Sequence, residues 1–179
     1  NIASLLEGTL IVDQNVNLDN AADAYNTIEK SLIGITNNAV ISGSQANQVA
    51  MADNFSSVSA VTYNNMVNNG TVSLSGDGSV AMYANNGNIT NADTISATGK
   101  ESFGIYGENG TVTLNTGTIT VGDQGIGIYG VSHQDPANPG VNGGGLINIT
   151  NSGSITGTGG SGTIGIYSNT NRTGGTKGD

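Results

Sequence analysis

The sequence predicts an all-β chain, a parallel β-helix (β-solenoid) with coils of about 23 residues. Three observations predict it. The first is a repeated motif. Val80-Ala81-Met82-Tyr83, Phe103-Gly104-Ile105-Tyr106 and Ile126-Gly127-Ile128-Tyr129 set their tyrosines 23 residues apart, and Ile164-Gly165-Ile166-Tyr167 follows 38 residues later, one period plus 15. The second is spacing within a copy. Ile95 and Ala97, Phe103 and Ile105, and Ile119 and Val121 are two apart, which is strand periodicity with one buried face. The third is composition. Gly is 29 of 179 residues and charged residues only 9%, against usual levels of about 7% and about 25%. Thr, Val and Ile fill the runs, while Gly, Asn, Asp and Ser fill the corners between them.

Three strands and three corners need roughly 18–25 residues per coil at about 3.3 Å per strand residue. One such coil cannot bury its own apolar face. Coils stacked about 4.8 Å apart pair their backbones and share one interior.

Taken in order, residues 1–30 read as an irregular coil or cap that hides a sheet edge. Within them Leu10-Ile11-Val12 and the alternating Val16 and Leu18 read as strands, and 20–30 has some helical flavour. Repeats are expected over 31–179. Leu32 to Gly43 resembles the later template, and Val49-Ala50-Met51-Ala52 matches Val80 to Tyr83 without the tyrosine. Residues 53–64 break the period as a loop or extra strand. Asn88 to Gly99 then lies over Asn65 to Gly76 without a gap. The coil from Val112 needs one residue more early and one fewer late, and Ile147 to Gly157 fits the template again. Asn68, Asn91, Asn115 and Asn151 recur before the second strand, either as corner residues or as a side-chain ladder up the axis. The segment 131–145 holds both prolines, the single His133, Asp135 and three consecutive glycines. It cannot continue a sheet, so it leaves the solenoid as an inserted loop, where repeat proteins tend to place binding residues. The chain starts at Asn1 and its repeat runs on without a polar capping unit, which is expected of a fragment of a longer solenoid.

Charge and residue types exclude several functions. Thirteen acids face four scattered bases, for a net charge of −9, so no basic stripe serves nucleic acid or anionic lipid. No apolar run is long enough for a membrane helix. With no Cys and one His there is no zinc site, and no cofactor is expected. The absence of Cys suits a secreted, disulfide-free chain. Six Asn-X-Ser/Thr triplets, at Asn54, Asn69, Asn88, Asn109, Asn148 and Asn171, are possible glycan acceptors.

Two groups of residues bear on chemistry. Asp77, Lys100, Glu101 and Asp123 share a corner. As paired acids they would be the centre of a polysaccharide-cleaving β-helix enzyme; as a solvated charge ladder they have no such role, and the second reading is favoured. The tyrosines are the stronger candidate. With Phe103 and Ile105 inward, alternation turns Gly104 and Tyr106 outward. Tyr83, Tyr106, Tyr129 and Tyr167 then form an exposed column beside a groove of small residues, Ala81, Gly104 and Gly127. Such a column can hold sugar rings or a protein loop, or it can stack for stability alone. His133 and Asp135 are added as candidate binding residues on the inserted loop.

The copies over 86–130 and 145–167, with their G-I-Y-G ends, resemble the passenger domains of large type V autotransporter adhesins of fusobacterial type. The resemblance covers roughly residues 30–170. It implies a right-handed parallel β-helix displayed outside the outer membrane and attached through a C-terminal barrel that this chain lacks. It also implies adhesion to a protein or glycan on host cells or other bacteria, and it brings no catalytic motif. Self-association, or service as a spacer, is the remaining alternative.

Overall fold

The structure is a computed structural model that describes residues 3–6, 9–20, 34–54, 65–132 and 147–170. All its regular elements are strands, and they form three sheets that wrap one interior. The first sheet holds β1 (Ala3–Leu6), β2 (Thr9–Val12), β4 (Gly34–Asn37), β7 (Asn65–Asn68), β10 (Asn88–Asn91), β13 (Val112–Asn115) and β16 (Asn148–Asn151). The second holds β3 (Val16–Asn17), β5 (Val40–Gly43), β8 (Thr71–Leu74), β11 (Thr94–Ala97), β14 (Thr118–Val121) and β17 (Ser154–Gly157). The third holds β6 (Val49–Asn54), β9 (Val80–Asn85), β12 (Phe103–Glu108), β15 (Ile126–Ser132) and β18 (Ile164–Thr170). The chain visits the sheets in turn, and each strand pairs in parallel with the equivalent strand of the next coil. This is the expected parallel β-helix.

Register follows the repeat. Asn88 pairs with Asn65 and Thr94 with Thr71, without a gap. The next coil pairs Asn88 with Val112 and Thr94 with Thr118, yet Tyr106 with Tyr129. The extra residue therefore enters at the corner before β13 and is removed at the corner before β15.

The interior is built of columns, one residue per coil. Ile41, Val72, Ile95 and Ile119 line the second sheet, and Met51, Met82, Ile105 and Ile128 the third, all buried. The first sheet contributes Ile35, Met66, Ile89 and Thr113. Beside these runs a column of asparagines, buried from Asn37 to Asn115 and exposed at Asn151. Asn37 Nδ2 donates to Asn68 Oδ1 at 2.9 Å, Asn68 to Asn91 at 2.9 Å, Asn91 to Asn115 at 2.8 Å, and Asn115 to Asn151 at 2.7 Å. The same Nδ2 atoms reach the backbone two residues on, as in Asn68 to Gly70 O at 2.9 Å. Both readings of the asparagines are therefore realised at once. Nearly every buried polar group needs a partner, and in a dry interior the coil above supplies it.

Corners repeat as faithfully as strands. Asn47, Gly78, Glu101, Gln124 and Gly162 all have positive φ at equivalent places between the second and third sheets. Between the third and first sheets, Asn86-Gly87 and Asn109-Gly110 have positive φ at both residues, which Asn and Gly tolerate best.

Three expectations change. Among the described residues of 1–30, the strands read at Leu10–Val12 and Val16 already belong to the stack: β2 and β3 pair in parallel with β4 and β5, and β1 pairs antiparallel with β2. Asp53 and Asn54 end β6, and Val131 and Ser132 end β15, so positions 53 and 131 still belong to strands. The third change concerns the tyrosine strands. Phe103 does not face inward: its ring packs on Tyr106 and Tyr129, on the outside. Gly104 does, and a Cβ there would meet Ile119 Cγ2 at 2.6 Å. Gly104 and Ile105 are consecutive buried residues, so the strand twists out of strict alternation at Gly104. The helical reading beyond Asn20 and the inserted loop beyond Ser132 lie outside the described residues.

Candidate functional site

The outer faces of the sheets differ in chemistry. On the second sheet the outward columns are Thr71, Thr94, Thr118 and Ser154 beside Ser73, Ser96, Thr120 and Thr156. On the third sheet they are apolar and aromatic. Val49, Val80, Phe103, Ile126 and Ile164 stand in one column, and Tyr83, Tyr106, Tyr129 and Tyr167 in the next.

The tyrosines form a continuous stack because parallel, in-register strands place identical side chains one above another. Ring centroids are 5.4 Å apart for Tyr83 and Tyr106, 4.8 Å for Tyr106 and Tyr129, and 5.4 Å for Tyr129 and Tyr167. The first two pairs are tilted and the last is stacked at 13°. Phe103 closes the side of the column, with its ring 5.3 Å from Tyr106 and 5.6 Å from Tyr129. Tyr83, Tyr106 and Tyr129 are half-buried, and Tyr167 is exposed.

Glu108 holds the column. Tyr83 Oη donates to Glu108 Oε2 at 3.0 Å, and Tyr106 Oη donates to Glu108 Oε1 at 3.0 Å. One carboxylate thus fixes the ring tips of two coils. Burial, followed by the Glu108 carboxylate, pushes the Tyr83 phenol up to about 12 and moves Tyr106 further in the same direction. Tyr129 is raised as well, by burial, then by Tyr167 and Glu108. These phenols stay protonated donors across any physiological range.

The small-residue groove is absent. Ala81, Gly104 and Gly127 are buried under the sheet, so the tyrosines are flanked by the apolar column instead. His133 and Asp135 lie outside the described residues. Sequence reasoning missed Glu108. The signal was present, because Tyr106 and Glu108 are two apart on one strand and share its outer face.

The corner acids hold backbone. Asp77 Oδ1 accepts from Lys100 N at 2.8 Å, and Asp123 Oδ1 from Ser161 N at 2.8 Å, each one coil on. Lys100 Nζ lies 3.9 Å from Glu101, both well exposed, a pair worth little. Asp19 does the same at the start of the stack, accepting from Ser44 N and Oγ and from Gln48 Nε2. Among the described residues no group of three His, Cys, Asp or Glu could hold a metal ion. An open hollow of ≈ 180 Å³ is lined by Ile147, Ile149, Ile166 and Ser168 at the last described coil.

No protein-family model matches this chain, and no curated protein or solved structure is similar enough to count as a match. The geometry of the third sheet therefore carries the functional argument.

Proposed function

We propose that this chain is a β-helical segment of a bacterial surface adhesin, displayed outside the cell, and that the third-sheet tyrosine column is the face it offers to a protein or glycan on a host cell or another bacterium. It acts by binding and not by catalysis, without a cofactor, nucleic acid or insertion into a membrane. The observation that supports the reading is the column itself. Four aromatic rings, stacked at 4.8–5.4 Å, stand half-open on a sheet face with an apolar column alongside. Glu108 and Phe103 hold Tyr83, Tyr106 and Tyr129 in place before any partner arrives. A pre-ordered surface loses less entropy on binding. Aromatic faces suit both sugar rings and protein loops.

The test is binding of the purified chain to cells and to immobilised glycans, beside a variant with Tyr83, Tyr106 and Tyr129 all changed to Ala. A triple Phe variant serves as the control that keeps the stack. Loss of binding by an Ala variant that still melts cooperatively supports recognition on this face. Undiminished binding by that variant moves recognition elsewhere. No binding by the wild type makes the segment a spacer and overturns the proposal.

A further inference from the structure

The tyrosine column combines three features that a binding face does not require. The chain has no Cys, so no disulfide ties one coil to another. Tyr106 and Tyr129 nevertheless bring two oxidisable rings to a centroid distance of 4.8 Å at a tilt of 55°. And Tyr106 Oη already donates to a carboxylate at 3.0 Å, within the reach a proton acceptor needs.

We infer that the third-sheet column is a site of oxidative modification, at which Tyr106 and Tyr129 are joined through their ortho carbons into a dityrosine that staples two consecutive coils. The oxidant is hydrogen peroxide used by a haem peroxidase, one electron at a time. Tyr106 loses an electron, and its phenolic proton passes to Glu108. Tyr129 loses an electron, and its proton passes to solvent. The two phenoxyl radicals couple, forming one carbon–carbon bond between the ortho positions. The two ortho hydrogens leave as protons, the phenol oxygens are reprotonated, and both rings regain aromaticity. The balance is two tyrosines and one peroxide giving one dityrosine and two waters.

The geometry favours this pair over the other neighbouring tyrosine pairs among the described residues. Tyr83 shares the acceptor but stands 5.4 Å from Tyr106. Tyr129 and Tyr167 are also 5.4 Å apart. Because the three phenols resist ionisation, oxidation has to remove proton and electron together, and this makes the acceptor matter. The link closes a loop of one coil and restricts the unfolded chain as a disulfide would.

The experiment treats dilute wild-type protein with a haem peroxidase and limiting hydrogen peroxide. It reads dityrosine fluorescence, intact mass, the peptide map and the thermal midpoint. The expected result is a monomer lighter by two hydrogens, a cross-linked peptide pair containing Tyr106 and Tyr129, and a raised midpoint. Tyr106→Phe is expected to abolish that cross-link, and Glu108→Gln, checked for an unchanged circular dichroism spectrum, to slow its formation at equal oxidant. Cross-links spread over Tyr25 and Tyr63, links formed only between molecules, or the same yield in Tyr106→Phe would overturn the proposal. An unchanged rate in a folded Glu108→Gln variant would overturn the role of Glu108.

Discussion

Asn91 sits at the centre of the buried amide column. Its Nδ2 reaches Asn115 Oδ1 at 2.8 Å and Asp93 O at 3.1 Å, and its Oδ1 accepts from Asn68 at 2.9 Å. Asn91→Ala strands the Asn68 donor on the coil below and the Asn115 acceptor on the coil above, in an interior where both are fully buried. We expect it to destabilise the fold by about 3 kcal/mol, read as a shift of the urea midpoint. Gly104→Ala tests the twist in the tyrosine strands. An added methyl would lie 2.6 Å from both Gly127 O and Ile119 Cγ2, and the first is backbone that cannot yield cheaply. The expected loss is about 1–3 kcal/mol, as for other overpacked cores. If Gly104 faced outward, as strict alternation requires, the substitution would be neutral. The asparagine column was visible in the sequence as a recurrence, but its role was not. A corner and a ladder demand the same residue, and only the stacking shows that one side chain does both.

At the scale of the element, the strands of the regular coils were legible because each copy can be laid over the next. Apolar residues two apart mark the buried face, and Gly, Asn and Asp mark the corners. β1 to β3 were not legible as coil members, because Thr9–Val12 and Val16–Asn17 carry no copied corner to set their register. The backbone pairing of β2 with β4 supplies it. The side on which Phe103 lies was misread because the alternation rule assumes an evenly pleated strand, and Gly104 breaks that evenness. The bond from Tyr83 to Glu108 spans 25 residues, so it depends on stacking that no local pattern displays. The first coil is also held by a corner acid, and this has a pH signature. Hydrogen bonds from the Ser44 hydroxyl and backbone, then from Gln48, lower the Asp19 carboxyl to about 2 from an ordinary 3.8. A carboxyl lowered on folding stabilises the ionised state. Its contribution is complete above pH 3.8 and is lost as the pH falls through about 2. Asp19→Ala has no such contribution to lose. The stability difference between wild type and variant, measured by urea unfolding across this window, should therefore shrink towards low pH. A constant difference would mean that the carboxylate does not anchor β3 to the corner after β5.

At the scale of the molecule, the stack behaves as a row of units in which each coil touches only its neighbours, and stability is a sum of coil and interface terms. Ile105 lies at the middle of the third-sheet column, fully buried between Met82 and Ile128. Ile105→Asp places an unpaired charge where no water reaches, at a cost the protein avoids only by opening. The damage should be local along the axis. Backbone amides of β9, β12 and β15 should lose hydrogen-exchange protection first. Those of β4 and β5 should keep more, because they are separated from the lesion by the coil of β7 and β8. Cooperative melting should split or fall in midpoint. An unchanged melting curve would place Ile105 outside the core. Uniform loss of protection from β4 to β17 would show that the coils fold as one indivisible body, and the nearest-neighbour description would then fail for this chain. Local opening would instead mean that the tyrosine face can be destabilised in one coil while its neighbours persist. A covalent link between Tyr106 and Tyr129 would then act where such opening has to pass, across the interface between β12 and β15. Oxidised Ile105→Asp protein should accordingly recover part of the lost exchange protection in those two strands.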